Sequence, residues 1–202
     1  MTAFNFILFD NYETFEVSGS LEIMSKMPKT YRLGYYSMNG GIITNSHMVR
    51  EDTEPFSAMD ASGVLSLPGG PGVRQLVDDE AFLEQLKGLA QKAQVVFTVS
   101  LGSALLAKTG LLDGVNATSD RSAFRWACSQ REGVRWVRRR PWLTDGKFHT
   151  SQDADSAMDM TFSFVRNLYG EMAVLTVARG IEYTCNEDSS KDVRSENEGH
   201  MV

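Results

Sequence analysis

The stretch Phe97-Thr-Val-Ser-Leu-Gly-Ser-Ala-Leu-Leu-Ala107 constrains the fold more than any other segment. In it an apolar strand passes into a small-residue helix, with the polar side chain of Ser100 at the junction. Such a junction lies at the carboxyl end of a sheet and at the positive end of a helix, where a nucleophile or an anion is stabilised. Ser100 is therefore the first candidate for chemistry.

The rest of the chain alternates apolar runs bounded by turn residues with longer segments of helical period. This pattern predicts an α/β domain, a three-layer sandwich whose mostly parallel sheet is covered on both faces. Strands are predicted over Phe4–Phe9, Tyr31–Tyr36, Gly63–Leu67 and Val95–Val99, and helices over Val17–Met27 and Glu80–Ala93. In the second helix Phe82, Leu83, Leu86, Leu89 and Ala90 recur near a 3.6-residue period, and Asp78 and Asp79 bring negative charge to its start.

Thr109–Gly114 reads as a helix C-cap and turn, and Arg121–Gln130 as a helix. Val134–Val137 is expected to pair with Leu143–Thr150 as a hairpin around Thr144-Asp-Gly146, before two final helices over Ser156–Leu168 and Glu171–Tyr183. Residues 1–185 form one expected domain, and 186–202 a polar tail without periodicity.

With 20 basic and 26 acidic residues the net charge is -6, so the chain as a whole has no electrostatic reason to seek nucleic acid or an anionic membrane. One local exception is the cluster Arg135, Arg138, Arg139 and Arg140 around Trp136 and Trp142. It reads either as a holder of phosphates or partner carboxylates, or, the preferred reading, as a short strand with one solvated face. Cys128 and Cys185 show no metal or CxxC spacing, which fits a reduced compartment and no metal site. The start Met1-Thr-Ala-Phe-Asn has no basic leader, and Phe6-Ile-Leu-Phe9 is too short for a membrane span. A cytoplasmic location is expected.

Functional groups in such a sheet gather beyond the carboxyl ends of the strands. Three loops there carry candidates: Asp10–Gly19 with Glu16, Pro68-Gly-Gly-Pro-Gly72, and the Ser100 elbow. Gly69, Gly70 and Gly72 let the backbone approach a substrate closely, and the amides of Gly70 and Leu101 are candidates for an anion hole. His47, His149 and His200 are each read as surface or loop residues, and Cys128 as a small apolar helix residue.

The elbow, together with Leu67-Pro-Gly-Gly-Pro-Gly72 before it and Gly110-Leu-Leu-Asp-Gly114 and Ala117-Thr118 after it, resembles the DJ-1/PfpI superfamily, in particular its isonitrile hydratase-like branch. The resemblance spans residues 4 to 183 and implies a flavodoxin-like fold, akin to the class I glutamine amidotransferases. It places the family's nucleophilic cysteine at Ser100, its first-loop acid at Glu16 and its oxyanion glycine at Gly70, and gives Glu22 a structural role. It also implies a homodimer, with Val17–Met27 in the contact because Leu21, Ile23, Met24 and Met27 exceed one narrow core stripe.

The departures matter as much. Serine stands at the cysteine position, by natural divergence or by deliberate replacement. Leu101 stands where the proteases of the family have histidine. Asp120, in Ala117-Thr-Ser-Asp120, stands where many relatives have another histidine and is with Gly69, Gly70 and Leu101 a candidate for substrate binding, and Gln152-Asp-Ala-Asp155 replaces a glycine- and serine-rich wall. A thiol is readily driven to thiolate, whereas an alcohol needs an adjacent base. Two classes of function follow. One is a cofactor-free small-molecule enzyme that hydrates an isonitrile to an N-substituted formamide, or acts on small dicarbonyls or amides. The other is a non-catalytic ligand-binding or regulatory protein that has kept the pocket and lost the thiol.

Overall fold

The computed structural model describes residues 2–27 and 31–191. Along the chain run β1 (Thr2–Ile7), α1 (Phe15–Ser25), β2 (Tyr31–Ser37), β3 (Asn39–Thr44), β4 (Arg50–Pro55), β5 (Val64–Leu67), α2 (Val73–Leu76), α3 (Glu80–Lys92), β6 (Val95–Val99) and α4 (Gly102–Lys108). There follow β7 (Asn116–Ala117), α5 (Phe124–Gln130), β8 (Arg135–Trp136), β9 (Trp142–Asp145), β10 (Phe148–Ser151), α6 (Ala154–Tyr169) and α7 (Glu171–Gly180).

The central strands are those apolar on both faces. β1, β5 and β6 are buried along almost their whole length, as a parallel sheet covered by helices requires. The eight-stranded order is β3-β4-β2-β1-β5-β6-β10-β9. All neighbours are parallel except the two edge pairs β3/β4 and β9/β10. One helical layer packs α1 against α6 and α6 against α7; the other groups α2, α3 and α5 around α4. The expected α/β sandwich is the fold observed.

Local chemistry explains the helix ends. The Asp79 side chain accepts the Phe82 amide at 3.0 Å and caps α3, whose Phe82, Leu86 and Ala90 face the core. Asp153 caps α6 through the Ser156 amide at 2.8 Å. Between α1 and α6, the buried hydroxyls of Ser20 and Thr161 meet at 2.9 Å, and a Cβ on Gly19 would come within 2.7 Å of the Met158 side chain.

Three expectations need correction. The hairpin is formed by β9 and β10 alone, with Phe148 opposite Asp145, whereas Arg135–Trp136 pairs in parallel with Asn116–Ala117 as a separate two-stranded sheet. Pro141 and the turn before it send the chain from one sheet to the other, and Trp142 is buried rather than part of a solvated basic face. The β3/β4 hairpin is an addition to the expected strands, because Arg50-Glu-Asp-Thr-Glu-Pro55 shows no apolar run; an exposed edge tolerates that polarity. Finally, the apolar residues of the Val17–Met27 segment do not face outward, although Phe15 at the start of α1 is exposed. Ile23, Met24 and Met27 are buried within the chain and Leu21 packs against the core, so these four residues are no argument for a dimer contact.

The elbow is held by close backbone packing. A Cβ on Gly102, the first residue of α4, would lie 2.4 Å from the Leu67 carbonyl oxygen and 2.7 Å from that of Pro68. Neither backbone oxygen can swing aside, so Gly102→Ala is expected to destabilise the fold by about 1–3 kcal/mol. Urea unfolding would measure this. An unchanged midpoint would mean that α4 can lift off β5 without cost.

Candidate active site

The strand order reverses at β1, whose neighbours are β2 on one side and β5 on the other. Loops leaving β1 and β5 therefore diverge and open a crevice beyond the carboxyl ends of the strands. The chain closes part of that crevice with hydrogen bonds. The Glu13 amide donates to the Gly69 carbonyl at 3.1 Å, the Gly72 amide to the Asn11 carbonyl at 3.2 Å, and the Gly69 amide to Oε2 of Glu16 at 2.6 Å. Glycine is needed here for space as well as for freedom. A Cβ on Gly70, whose φ is +117°, would meet Asn11 O at 2.5 Å, and one on Gly69 would meet Leu101 N at 2.7 Å, Glu16 Oε2 at 3.0 Å and Ser100 Cβ at 3.1 Å. Gly69, Leu101, Glu16 and Ser100 are thus packed around one point.

Ser100 has φ +52°, a left-handed conformation for a residue bearing a Cβ, which costs about 1–3 kcal/mol. The strain is borne by anchors on both sides. The Ser100 amide donates to the Ser151 carbonyl at 2.9 Å, and its own carbonyl accepts the hydroxyls of Ser103 at 2.9 Å and Ser119 at 3.1 Å. The elbow expected from the sequence is therefore present, and Ser100 is buried with its hydroxyl donating to Oδ2 of Asp120 at 3.3 Å. Asp120 is in turn fixed by the Ser122 hydroxyl at 2.6 Å and the Ala123 amide at 2.7 Å, both on Oδ1. The sequence marks Asp120 as a substrate-binding candidate standing where many relatives have a histidine; its direct bond to Ser100 is a product of the fold.

Glu16 is the electrostatic centre of the site. Burial pushes its carboxyl up to about 8, opposed by the Gly69 amide and the nearby Ser100 hydroxyl and reinforced by Glu13 and Asp120. At neutral pH it is mostly a neutral acid, able to give a proton. Among the described residues, the amides of Gly70 and Leu101 donate to no other protein group, as an anion hole requires.

Neither described histidine bonds to Ser100. His149 bonds to Thr144 Oγ1 at 3.0 Å beside the Phe97 ring, and burial lowers it to about 4, so it stays neutral. His47 is exposed, bonded to Ser46 at 3.0 Å and facing Glu13 at 3.5 Å. His200 lies outside the described residues, as do positions 192–202 of the polar tail. Cys128 and Cys185 are half-buried free thiols whose ionisation burial opposes, Cys185 being pushed up to about 11. Neither is a displaced nucleophile. Glu22 is exposed and pairs with Lys26 at 2.9 Å, a modest surface contact. Among the described residues no cluster of metal-ligating side chains occurs and no helix is long and apolar enough to cross a membrane.

A parallel α/β sandwich with a strained strand-to-helix elbow, a buried acid from the first loop and a glycine loop at the strand-order switch defines the class of protein by its fold and loop geometry. The DJ-1/PfpI family profile matches residues 4–167, and the chain belongs to that family. The isonitrile hydratase of Pseudomonas putida is 24% identical over 181 residues, covering 88% of this chain and 77% of that protein. Among solved structures, a ThiJ/PfpI family protein from Pseudomonas syringae superposes with a TM-score of 0.79 at 17% identity, covering 100% of this chain and 84% of that one. Drosophila melanogaster DJ-1beta superposes with a TM-score of 0.75 at 19% identity, covering 91% and 98%.

Proposed function

We propose that this protein binds a small molecule with an uncharged electrophilic group at the Ser100 elbow and that the site is built for the acid-assisted addition of water to that group, as in isonitrile hydration. The observation that carries the reading is the buried Glu16 carboxyl held against the elbow, its Oε2 accepting the Gly69 amide at 2.6 Å and its ionisation opposed by burial. In the reaction, Glu16 gives its proton to the terminal carbon of R–NC, and the heteroatom of residue 100 adds to the same carbon, a serine as its own proton passes to Asp120 and a cysteine as a thiolate that has already released its proton to solvent. Water then adds to the resulting imidate carbon, and the bond to residue 100 breaks. The N-substituted formamide leaves and the protons return to Glu16 and residue 100. The sum is one isonitrile plus one water, with no cofactor. Negative charge on the substrate heteroatoms would be met by the amides of Gly70 and Leu101.

A second reading is favoured by one specific observation. The Ser100 hydroxyl faces two carboxyl groups, Asp120 and Glu16, of which burial keeps Glu16 from ionising, and a carboxylate is a weak base towards an alcohol. With serine in place the pocket serves binding better than turnover, as a ligand-binding or regulatory protein. Product analysis by NMR separates the two. Formamide from any of a panel of isonitriles supports the enzyme, acid or amine from dicarbonyls or amides redirects it, and inactivity of both the serine protein and Ser100→Cys leaves the binding reading.

The reading retains a homodimer, for which exposed Phe15 at the start of α1, with Ile42, Met48 and Val49, are better candidates than buried Ile23, Met24 and Met27. Sedimentation at micromolar concentration is expected to give a dimer; a monomer would remove this part.

A further inference from the structure

A cleft of about 570 Å³ opens beside the elbow between α2 and α5 and is lined by Arg74, Arg121, Arg125 and Arg138, with Ser122 and Trp126. No carboxylate lines it, although the chain carries a net charge of -6. Four guanidinium groups drawn from three separate segments repel one another, and such an arrangement is stabilised when an anion enters. Two of the four are held in place. Arg74 stacks with its Cζ 4.3 Å from the Trp126 ring centre, and Nη2 of Arg121 lies 3.5 Å from the Gln152 amide oxygen. Among the described residues Arg74, Arg125 and Arg138 make no ion pair.

The cleft is joined to the elbow. Its Ser122 hydroxyl donates to Oδ1 of Asp120, whose Oδ2 accepts the Ser100 hydroxyl. Gln152, which faces Arg121, directly follows Ser151, whose carbonyl holds the Ser100 amide. One carboxyl group therefore separates the cleft from the reacting centre. We propose that the cleft is an anchoring subsite for the carboxylate or phosphate of an organic anion whose other end reaches Ser100. Planar guanidinium forks match both oxyanions, and the Trp126 ring offers the adjoining apolar body a wall. This names the substrate class of the site proposed above and rests on that reading for the reaction, though not for binding.

The test therefore reads occupancy rather than turnover. Benzoate, phenyl phosphate and neutral benzamide are titrated into the protein, followed by tryptophan fluorescence. The same three compounds are then compared as protectants of the thiol introduced by Ser100→Cys against N-ethylmaleimide, with labelling at position 100 read by mass spectrometry. At least one anion is expected to bind about tenfold or more tighter than benzamide, to weaken as salt rises and to slow labelling. The exposed-site double variant Arg74→Gln/Arg138→Gln is expected to lose both effects while keeping its thermal midpoint. The relative strength of benzoate and phenyl phosphate tells carboxylate from phosphate as the preferred head. Anions that bind no better than benzamide, bind without protecting position 100, or bind the double variant equally well would each overturn the proposal. Protection without turnover of any isonitrile would uphold the subsite and count against the hydratase reading instead.

Discussion

Ser100→Cys is expected to raise turnover of isonitriles by at least about a hundredfold at pH 7, because a thiol is a few per cent thiolate there and intrinsically nucleophilic, whereas an alcohol is almost wholly protonated. The two side chains are nearly the same size, so the elbow, its φ of +52° and its anchors at Ser151, Ser103 and Ser119 should persist. What limits the gain is Asp120. Its Oδ2 sits 3.3 Å from the Ser100 oxygen, and a carboxylate at that separation disfavours a neighbouring thiolate. Adding Asp120→Asn, which keeps an acceptor for Ser122 and Ala123, should therefore lower the thiol pKa of the Ser100→Cys protein. Turnover at neutral pH should rise again, by about tenfold for each pH unit by which the thiol becomes more acidic. Steady-state rates and thiolate absorbance against pH measure both effects. Brisk activity of the serine protein that vanishes in Ser100→Ala would show instead that Asp120 suffices as a base for an alcohol.

The second large effect concerns stability. Glu16 ionises near its ordinary value of 4.5 when unfolded and near about 8 when folded. Between those values the folded protein holds a proton that the unfolded chain has released, so stability falls as pH rises through this window and the loss is complete above the folded value. A gap of that size corresponds to roughly 4–5 kcal/mol, an upper bound for a domain whose total stability is of order 5–15 kcal/mol. Glu16→Gln is neutral throughout and keeps an oxygen for the Gly69 amide. It should match the parent protein near pH 5 and exceed it by several kcal/mol near pH 9, measured as the difference between urea midpoints at each pH so that other titrations cancel. Parallel profiles would mean that Glu16 is already ionised in the folded protein and cannot supply the proton the proposed reaction needs. The same ionisation predicts that kcat of Ser100→Cys falls as pH rises through about 8.

Some features follow from residues adjacent in the chain. β6 and its elbow are legible because five strand-forming residues precede Ser100 and small residues follow it. α3 is legible because Asp79 caps it and Phe82, Leu86 and Ala90 mark one face. The central strands and the glycine loop are legible because burial on both faces and close backbone approach each demand particular residue types. The ends of β1 lie two residues from their expected places, and the polar edge hairpin β3/β4 leaves no signal in the sequence, because an edge strand half-exposed to water imposes little on composition.

The rest depends on which segments meet. Local sequence identifies Glu16 as an acid and Ser100 as a junction residue, but burial beneath the Gly69 amide is what raises the Glu16 carboxyl, and the turn at 118–120 is what brings Asp120 to the Ser100 hydroxyl. The arginines adjacent in sequence, 135 to 140, do not act together. Arg138 alone of that run lines the cleft, with Arg74, Arg121 and Arg125 from elsewhere. Ionisation and ligand charge are set by distances of a few ångströms between groups remote in the chain, and those distances exist only once the sheet has placed its loops at one end.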